Sequence, residues 1–136
     1  MRRMPSVILL VDDDQEATKV MRQQFETFAG LYQLEIVHSA RGAKDYLQGR
    51  RKYKNRRTHP MPTVVLLDLN MPGVDGFALL EWIRKQEELK KVPVAVLTEA
   101  TELREVTRAY QLGAKTFLMK PAPIEELRDL LQALAA

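Results

Sequence analysis

Five short aliphatic runs recur along the chain, and a helical pattern follows each of them. The runs are VILLV at 7–11, LEIV at 34–37, VVLL at 64–67, VAVL at 94–97 and TFLM at 116–119. Most of the runs are continuous rather than alternating, which is typical of strands covered on both faces in a parallel sheet. The chain therefore has to fold around such a sheet.

The segments between the runs carry apolar residues at three- and four-residue spacing, as amphipathic helices do. These patterns cover residues 17–28, 77–83, 103–110 and 124–134, with a shorter one over 40–47. Strand and helix thus alternate five times, which predicts the α/β fold class: a doubly wound five-stranded parallel sheet with helices on both faces. A chain of 136 residues is long enough for one domain and short for two. We expect a single domain over residues 1–136.

The composition, 46% hydrophobic and 29% charged, is that of a globular protein. The chain contains no uncharged apolar stretch of about 18 residues, and its first six residues lack the apolar segment of a secretory signal. We therefore expect a cytoplasmic location and no membrane partner. The chain has no cysteine, which excludes disulfides and thiolate metal sites.

Polar residues stand where the predicted strands end. They are Asp12, Asp13 and Asp14 after the first strand, Asp68 after the third, Thr98 after the fourth and Lys120 after the fifth. The carboxyl ends of parallel strands share one edge of the sheet, so these side chains should converge there. Two carboxylates about 4 Å apart repel by about 4 kcal/mol at an effective dielectric constant of about 20. A cation is therefore expected, and a ligand set of oxygens alone favours Mg²⁺.

The same edge offers groups that suit a phosphoryl group. Lys120 supplies a positive charge and Thr98 a hydroxyl donor, and phosphoryl transfer is catalysed mostly by positioning and charge neutralisation. An aspartate in such a setting can be the nucleophile and form an aspartyl phosphate. We therefore expect Asp68 to accept a phosphoryl group.

Four motifs resemble those of the receiver domains of two-component response regulators, in matching order and spacing. They are LLVDDD at 9–14, LLDLNMPGVDG at 66–76, VAVLTEA at 94–100 and GAKTFLMKP at 113–121. The resemblance covers essentially the whole chain and implies a flavodoxin-like receiver sheet of order 2-1-3-4-5. It also implies a signalling domain that accepts its phosphoryl group from a sensor histidine kinase. Such a domain is not an enzyme, beyond its own phosphorylation from a phosphodonor and its autodephosphorylation.

The resemblance assigns a role to each matching position. Asp68 would be phosphorylated, and Mg²⁺ would be held by Asp13, Asp68 and the main-chain carbonyl of Asn70, with Asp12 acting largely through water. Thr98 and Lys120 would bind the phosphoryl oxygens.

A second group of assignments concerns the response to phosphorylation. Thr98 and Phe117 would form the switch, the aromatic ring rotating inward after the hydroxyl moves. The Lys120–Pro121 peptide bond resembles one that is cis in this family.

Two further features bear on partners. The longer segment between the second helix and the third strand, together with KKVPVAVLT at 90–98, resembles the regulators that serve bacterial phytochromes, so the kinase could be a phytochrome. A homodimer could form through the fourth helix, fifth strand and fifth helix, on a face expected to include Val106, Tyr110, Phe117 and Leu131.

The basic charge of the chain belongs to one segment. RRKYKNRR at 50–57 holds six Lys or Arg and no acid, so the remaining 15 bases and 18 acids give the rest of the chain a charge of −3. With Tyr53 available for stacking, the segment invites a nucleic-acid interpretation. A charge run in an inserted loop, here at about 49–60, is more often a solvated face, and no DNA-binding module accompanies it. We therefore expect no nucleic-acid binding. We give electrostatic steering toward an acidic kinase surface the same weight as nucleic-acid binding as a use of this segment.

Two other functions stay open. Asp12 and Asp14 form a D-x-D arrangement that resembles phosphatases of the haloacid dehalogenase type, with Asp12 as nucleophile. A pure interaction module without phosphorylation is suggested by Glu99, because the family usually has a small residue after the hydroxyl. We expect the Glu99 side chain to point outward.

Some acids and histidines have simpler explanations. Asp14 and Asp75 are expected to be helix N-caps. His38 and His59 lack the spacing of a metal pair and are expected to be structural or surface residues.

Overall fold

The computed structural model of the protein describes residues 5–72, 75–99 and 103–135. Within these ranges five strands alternate with five α-helices. The strands are β1 (Ser6–Val11), β2 (Tyr32–Val37), β3 (Val64–Asp68), β4 (Val94–Thr98) and β5 (Thr116–Met119). The helices are α1 (Gln15–Glu26), α2 (Ala40–Gln48), α3 (Gly76–Lys85), α4 (Leu103–Gln111) and α5 (Ile124–Leu134). Short 3-10 helices follow α2 at Arg51–Tyr53 and α3 at Glu87–Leu89.

All strands are parallel, and their order in the sheet is β2-β1-β3-β4-β5. This confirms the predicted fold class and strand order. The prediction of a helix over 17–28 was wrong at its end, because α1 stops at Glu26. Phe28 lies in the following turn, where its ring packs edge-on against Phe25 and Tyr32. Its apolar character reflects burial in a turn rather than helical periodicity.

The sheet is covered on both faces, as the continuous aliphatic runs predict. Successive side chains of a strand point to opposite faces. Leu9 and Val11 accordingly join the core beneath α2, α3 and α4, whereas Ile8 and Leu10 join the core beneath α1 and α5. The central strands β3 and β4 are buried along their whole length. This rigid centre fixes the positions at which Asp68 and Thr98 leave the sheet.

Side chains cap the first turns of three helices. The Asp14 carboxylate accepts hydrogen bonds from the Glu16 and Ala17 N–H groups at the start of α1. Asp75 accepts from Ala78 N–H in α3. Both predicted N-caps are confirmed, and a Ser39 cap at α2 adds a third.

The basic segment contacts α2 through Arg56 and Tyr53, which the sequence did not predict. The Arg56 guanidinium donates to the carbonyls of Tyr46, at 2.8 Å, and Leu47, at 2.9 Å, which lie at the end of α2. The Tyr53 ring packs against Tyr46 and His59, with centroids 4.9 Å and 5.1 Å away. The Tyr53 ring is therefore already used inside the protein, which removes the base-stacking argument.

Bases of this segment other than Arg56 remain exposed. They are Arg50, Arg51, Lys52, Lys54 and Arg57. No helix in the described part of the chain has the length and apolar character that crossing a membrane requires.

Candidate functional site

Three predicted site residues meet in direct contact at the carboxyl edge of the sheet. The Lys120 ammonium, after β5, lies 3.0 Å from Asp12 Oδ2, after β1, and 3.1 Å from Asp68 Oδ2, at the end of β3. Only 2% and 3% of the two aspartate side chains and 12% of the lysine side chain are exposed. Lys120 thus forms one buried ion cluster with Asp12 and Asp68, which precede it by 108 and 52 positions in the sequence.

Asp13 completes a group of three carboxylates. One oxygen each from Asp12, Asp13 and Asp68 lies within 4.8 Å of the other two. Three carboxylates and the single ammonium of Lys120 leave two negative charges, and every side-chain ligand is an oxygen. Such a set fits a hard divalent cation such as Mg²⁺ or Mn²⁺.

Burial and pairing shift the pKa values of Asp68 and Lys120. Burial raises the pKa of Asp68 above its usual value, although the Asn70 N–H and Lys120 act to lower it. Burial acts to lower the pKa of Lys120, but its hydrogen bonds to Asp12 and Asp68 outweigh burial and raise it. Lys120 therefore stays an ammonium.

The backbone holds the two buried carboxylates in place. Asp12 Oδ1 accepts from the Asp14 N–H at 3.0 Å, and Asp68 Oδ1 accepts from the Asn70 N–H at 2.8 Å. One oxygen of each carboxylate is thus bound by its own loop while the other faces Lys120. The Lys120–Pro121 bond is cis, as predicted.

Thr98 lies at the same edge but is joined to the site through Asn70. Its hydroxyl donates to the Asn70 side-chain oxygen at 3.2 Å, and the same oxygen accepts from the Glu99 main-chain N–H at 2.9 Å. The Glu99 side chain is exposed, as expected. Sequence reasoning named only the main-chain carbonyl of Asn70 and missed the role of its side chain.

A groove that the sequence did not predict opens beside the ion cluster. This cavity of about 420 Å³ is lined by residues of α1 and of the loop after β5, together with Asp12 and Lys120. Its walls include the apolar Ala17 and Val20 and the acidic Asp14 and Glu99. The helical pattern placed Val20 on the buried face of α1, but 47% of this residue is exposed.

The remaining predicted residues lie further from the carboxylates. The half-buried Phe117 packs edge-on against Tyr110, with ring centroids 6.3 Å apart. The expectation that Leu131 lies on an exposed face was wrong, because the apolar side of α5 packs on the sheet and buries Leu131 completely. His38 is exposed and contacts the Asp12 carbonyl through Nδ1 at 3.1 Å, which agrees with a structural role.

Fold and site together define a doubly wound domain with an acidic, lysine-containing pocket at its strand ends. The family model described as response regulator receiver domain matches residues 8–132 of this chain. The chain therefore belongs to the receiver domains of two-component response regulators, the modules of phosphorylation-based signalling.

Several individual response regulators are similar to this chain in sequence and structure. The response regulator Rcp1 of Synechocystis sp. is 32% identical over 130 residues, which cover 96% of this chain and 86% of Rcp1. Its Mn²⁺-bound crystal structure matches with a TM-score of 0.77 over 95% of this chain and 91% of that one. A response regulator in red light signaling of R. palustris is 28% identical with a TM-score of 0.82, over 95% and 90% of the two chains. The phosphorylated cyanobacterial phytochrome response regulator RcpA is 25% identical with a TM-score of 0.79 over the same shares.

Proposed function

We propose that this receiver takes a phosphoryl group onto Asp68 from a phosphohistidine of a sensor histidine kinase, with Mg²⁺ bound at the acidic cluster. The observation that carries the proposal is the contact of Lys120 with both Asp12 and Asp68 at one buried edge. Asp12 and Asp68 without the lysine would need only a cation to offset their repulsion. A lysine that reaches the acceptor carboxylate also provides for the charge of an incoming phosphoryl group.

The transfer is an in-line displacement at phosphorus. An Asp68 carboxylate oxygen forms the new O–P bond while the N–P bond of the phosphohistidine breaks, and its electron pair stays on the departing imidazole. Lys120 and the Thr98 hydroxyl bind the oxygens of the transferred group. Asp13, Asp68 and the Asn70 carbonyl would hold Mg²⁺, with Asp12 acting largely through water, and the metal would supply charge neutralisation for the transferring group.

The groove beside the cluster supports a helical kinase partner. Its lining combines the apolar residues Ala17, Val20 and Pro121 with Asp12 and Lys120 of the cluster, and the acidic Asp14 and Glu99 line it too. A helix lying in this groove would bring a histidine on its apolar face close to Asp68. The relatives named for phytochromes and red light signaling favour a phytochrome as that kinase.

We propose α4, β5 and α5 as the output face, through which a homodimer forms. The exposed apolar residues Leu103 and Tyr110 of α4 and Met119 of β5 expose 76%, 45% and 46% of their surface. Phe117 contacts Tyr110, so a rotation of Phe117 would alter this face. Because Leu131 is buried and Met119 is exposed, we include Met119 in the proposed face in place of Leu131.

The test is phosphorylation by acetyl phosphate with Mg²⁺, read by intact mass. We expect the parent to gain one phosphoryl group, Asp68→Asn to gain none, and the reaction to stop when the metal is chelated. Asp14→Asn is the matched control, because Asp14 is a neighbouring acid outside the cluster and asparagine still caps α1. Equal labelling of the parent and Asp68→Asn would refute the acceptor assignment.

The alternative functions have less support. A phosphatase of the D-x-D type needs Asp14 in the site, but Asp14 is exposed and caps α1. An interaction module without phosphorylation was suggested by Glu99, whose side chain is exposed and leaves the cluster intact. The cytoplasmic location, the single-domain organisation and the absence of nucleic-acid binding stay predictions.

A further inference from the structure

The Asn70 side chain joins the loops that follow β3 and β4. Its Oδ1 accepts from Thr98 Oγ1 at 3.2 Å and from the Glu99 main-chain N–H at 2.9 Å. A main-chain N–H can only donate, so the carboxamide atom that faces Glu99 has to be the oxygen. The Asn70 N–H meanwhile donates to Asp68 Oδ1 at 2.8 Å. One residue therefore contacts the acceptor carboxylate with its backbone and the β4 end with its side chain.

Thr98 and Glu99 offer the donors that a phosphoryl group on Asp68 would need. Strands β3 and β4 are neighbours, with Asp68 paired to Leu97, so the groups that follow Leu97 lie directly beside the acceptor. Lys120 contacts Asp68 Oδ2 and Asp12 Oδ2. A phosphoryl oxygen that faces β4 would therefore meet the Thr98 hydroxyl and the Glu99 N–H.

We propose that the Asn70 carboxamide oxygen is a placeholder for this phosphoryl oxygen, and that the phosphoryl group has to displace it from Thr98 and Glu99. The inference rests on the proposed function and adds a positioning residue that competes with the bound group. A neutral carboxamide oxygen is a weaker acceptor than an anionic phosphoryl oxygen, so displacement is favourable. Its release breaks the side-chain contact between Asn70 and the end of β4.

The test uses beryllofluoride, a stable mimic of the phosphoryl group, titrated calorimetrically at saturating Mg²⁺. Asn70→Ala removes the placeholder but keeps the main-chain N–H and carbonyl. We expect it to lower the Kd of beryllofluoride about three- to tenfold, the change that one or two neutral hydrogen bonds produce. A merely structural role for Asn70 predicts the opposite result, a higher Kd of beryllofluoride in Asn70→Ala.

Two further variants fix the direction of the effect. Asn70→Asp keeps an acceptor in place and strengthens it, so its beryllofluoride affinity should fall below that of the parent. Glu99→Gln removes one negative charge at the same edge and so measures how much a single charge changes that affinity. The change caused by Asn70→Asp should be larger in magnitude. A change no larger than that of Glu99→Gln would be explained by charge alone and would contradict the placeholder.

Hydrogen exchange at the Glu99 amide gives an independent readout. In the free state the amide should exchange faster in Asn70→Ala than in the parent, and with beryllofluoride bound the two rates should agree. A parent that binds no beryllofluoride would overturn the proposed function and this inference together. A parent that binds it, beside an Asn70→Ala variant that binds it equally or more weakly, would overturn this inference alone.

Discussion

The substitution Asp13→Asn should stabilise the protein without a divalent cation and destabilise it when the cation is present. Asp13 is half-buried and shares the acidic cluster with Asp12 and Asp68. Without a cation the substitution removes repulsion, so the variant should be more stable than the parent. With Mg²⁺ present it removes a proposed metal ligand, so the parent should become the more stable protein.

The magnitude follows from the geometry of the cluster. At the 4.8 Å limit between carboxylate oxygens, each pair repels by about 0.9 kcal/mol in bulk water and about 3.5 kcal/mol at an effective dielectric constant of about 20. Lys120 offsets part of the repulsion, and Asp13 is partly exposed, so we expect a gain of about 1 kcal/mol. At a Mg²⁺ concentration about 100 times its Kd, the parent should gain about 2.7 kcal/mol, most of which the variant should lose.

The assay is urea denaturation of the parent and Asp13→Asn, each with EDTA and with Mg²⁺. Glu99→Gln serves as control, since this acid is exposed at the same edge and lies outside the cluster. We expect Mg²⁺ to raise the unfolding free energy of Glu99→Gln by the same amount as that of the parent. The reasoning would be refuted by an Asp13→Asn protein that is less stable than the parent in EDTA, or that gains as much from Mg²⁺.

Three further substitutions test how the scaffold is held, each by the free energy of unfolding in urea. Arg56→Ala should cost about 2 to 4 kcal/mol, because two carbonyls at the end of α2 lose a charged donor; an equal loss in Arg57→Ala, an exposed neighbour, would contradict this. Asp75→Ala should cost about 1 kcal/mol through loss of the α3 cap, and an unchanged midpoint would show that the cap contributes nothing. Gly113→Ala should cost about 1 to 3 kcal/mol, since Gly113 has φ +105° and the added methyl would lie 2.6 Å from Arg84; a neutral result would mean that the turn rearranges.

The elements and the site cluster could be predicted because local sequence patterns define the strands and helices, and the parallel sheet then determines which residues meet. Continuous aliphatic runs define buried parallel strands, and parallel strands bring their carboxyl ends to one edge. That rule alone places Asp12, Asp68 and Lys120 together, although 52 and 108 residues separate the lysine from the two acids. The N-caps were likewise predictable from one polar residue before each helical pattern.

What was missed depends on side-chain direction and on contacts between loops. The helical pattern could not tell whether Val20 or Leu131 would be covered, because a neighbouring element decides which part of an apolar stripe is buried. The Arg56 contacts with α2 needed a chain reversal that no local signal predicts. The bonds of the Asn70 side chain depend on how closely two loops approach, which spacing along the sequence does not encode.

The central claim is that carboxylates, ammonium and hydroxyl at the strand ends act on one phosphoryl group. The most direct test is a crystal structure of the protein with Mg²⁺ and beryllofluoride. We predict beryllium bonded to an Asp68 carboxylate oxygen, the metal beside Asp13, and fluorines within hydrogen-bonding distance of Lys120 and Thr98. Beryllofluoride bound away from Asp68, or bound there without contact to Lys120, would contradict the account.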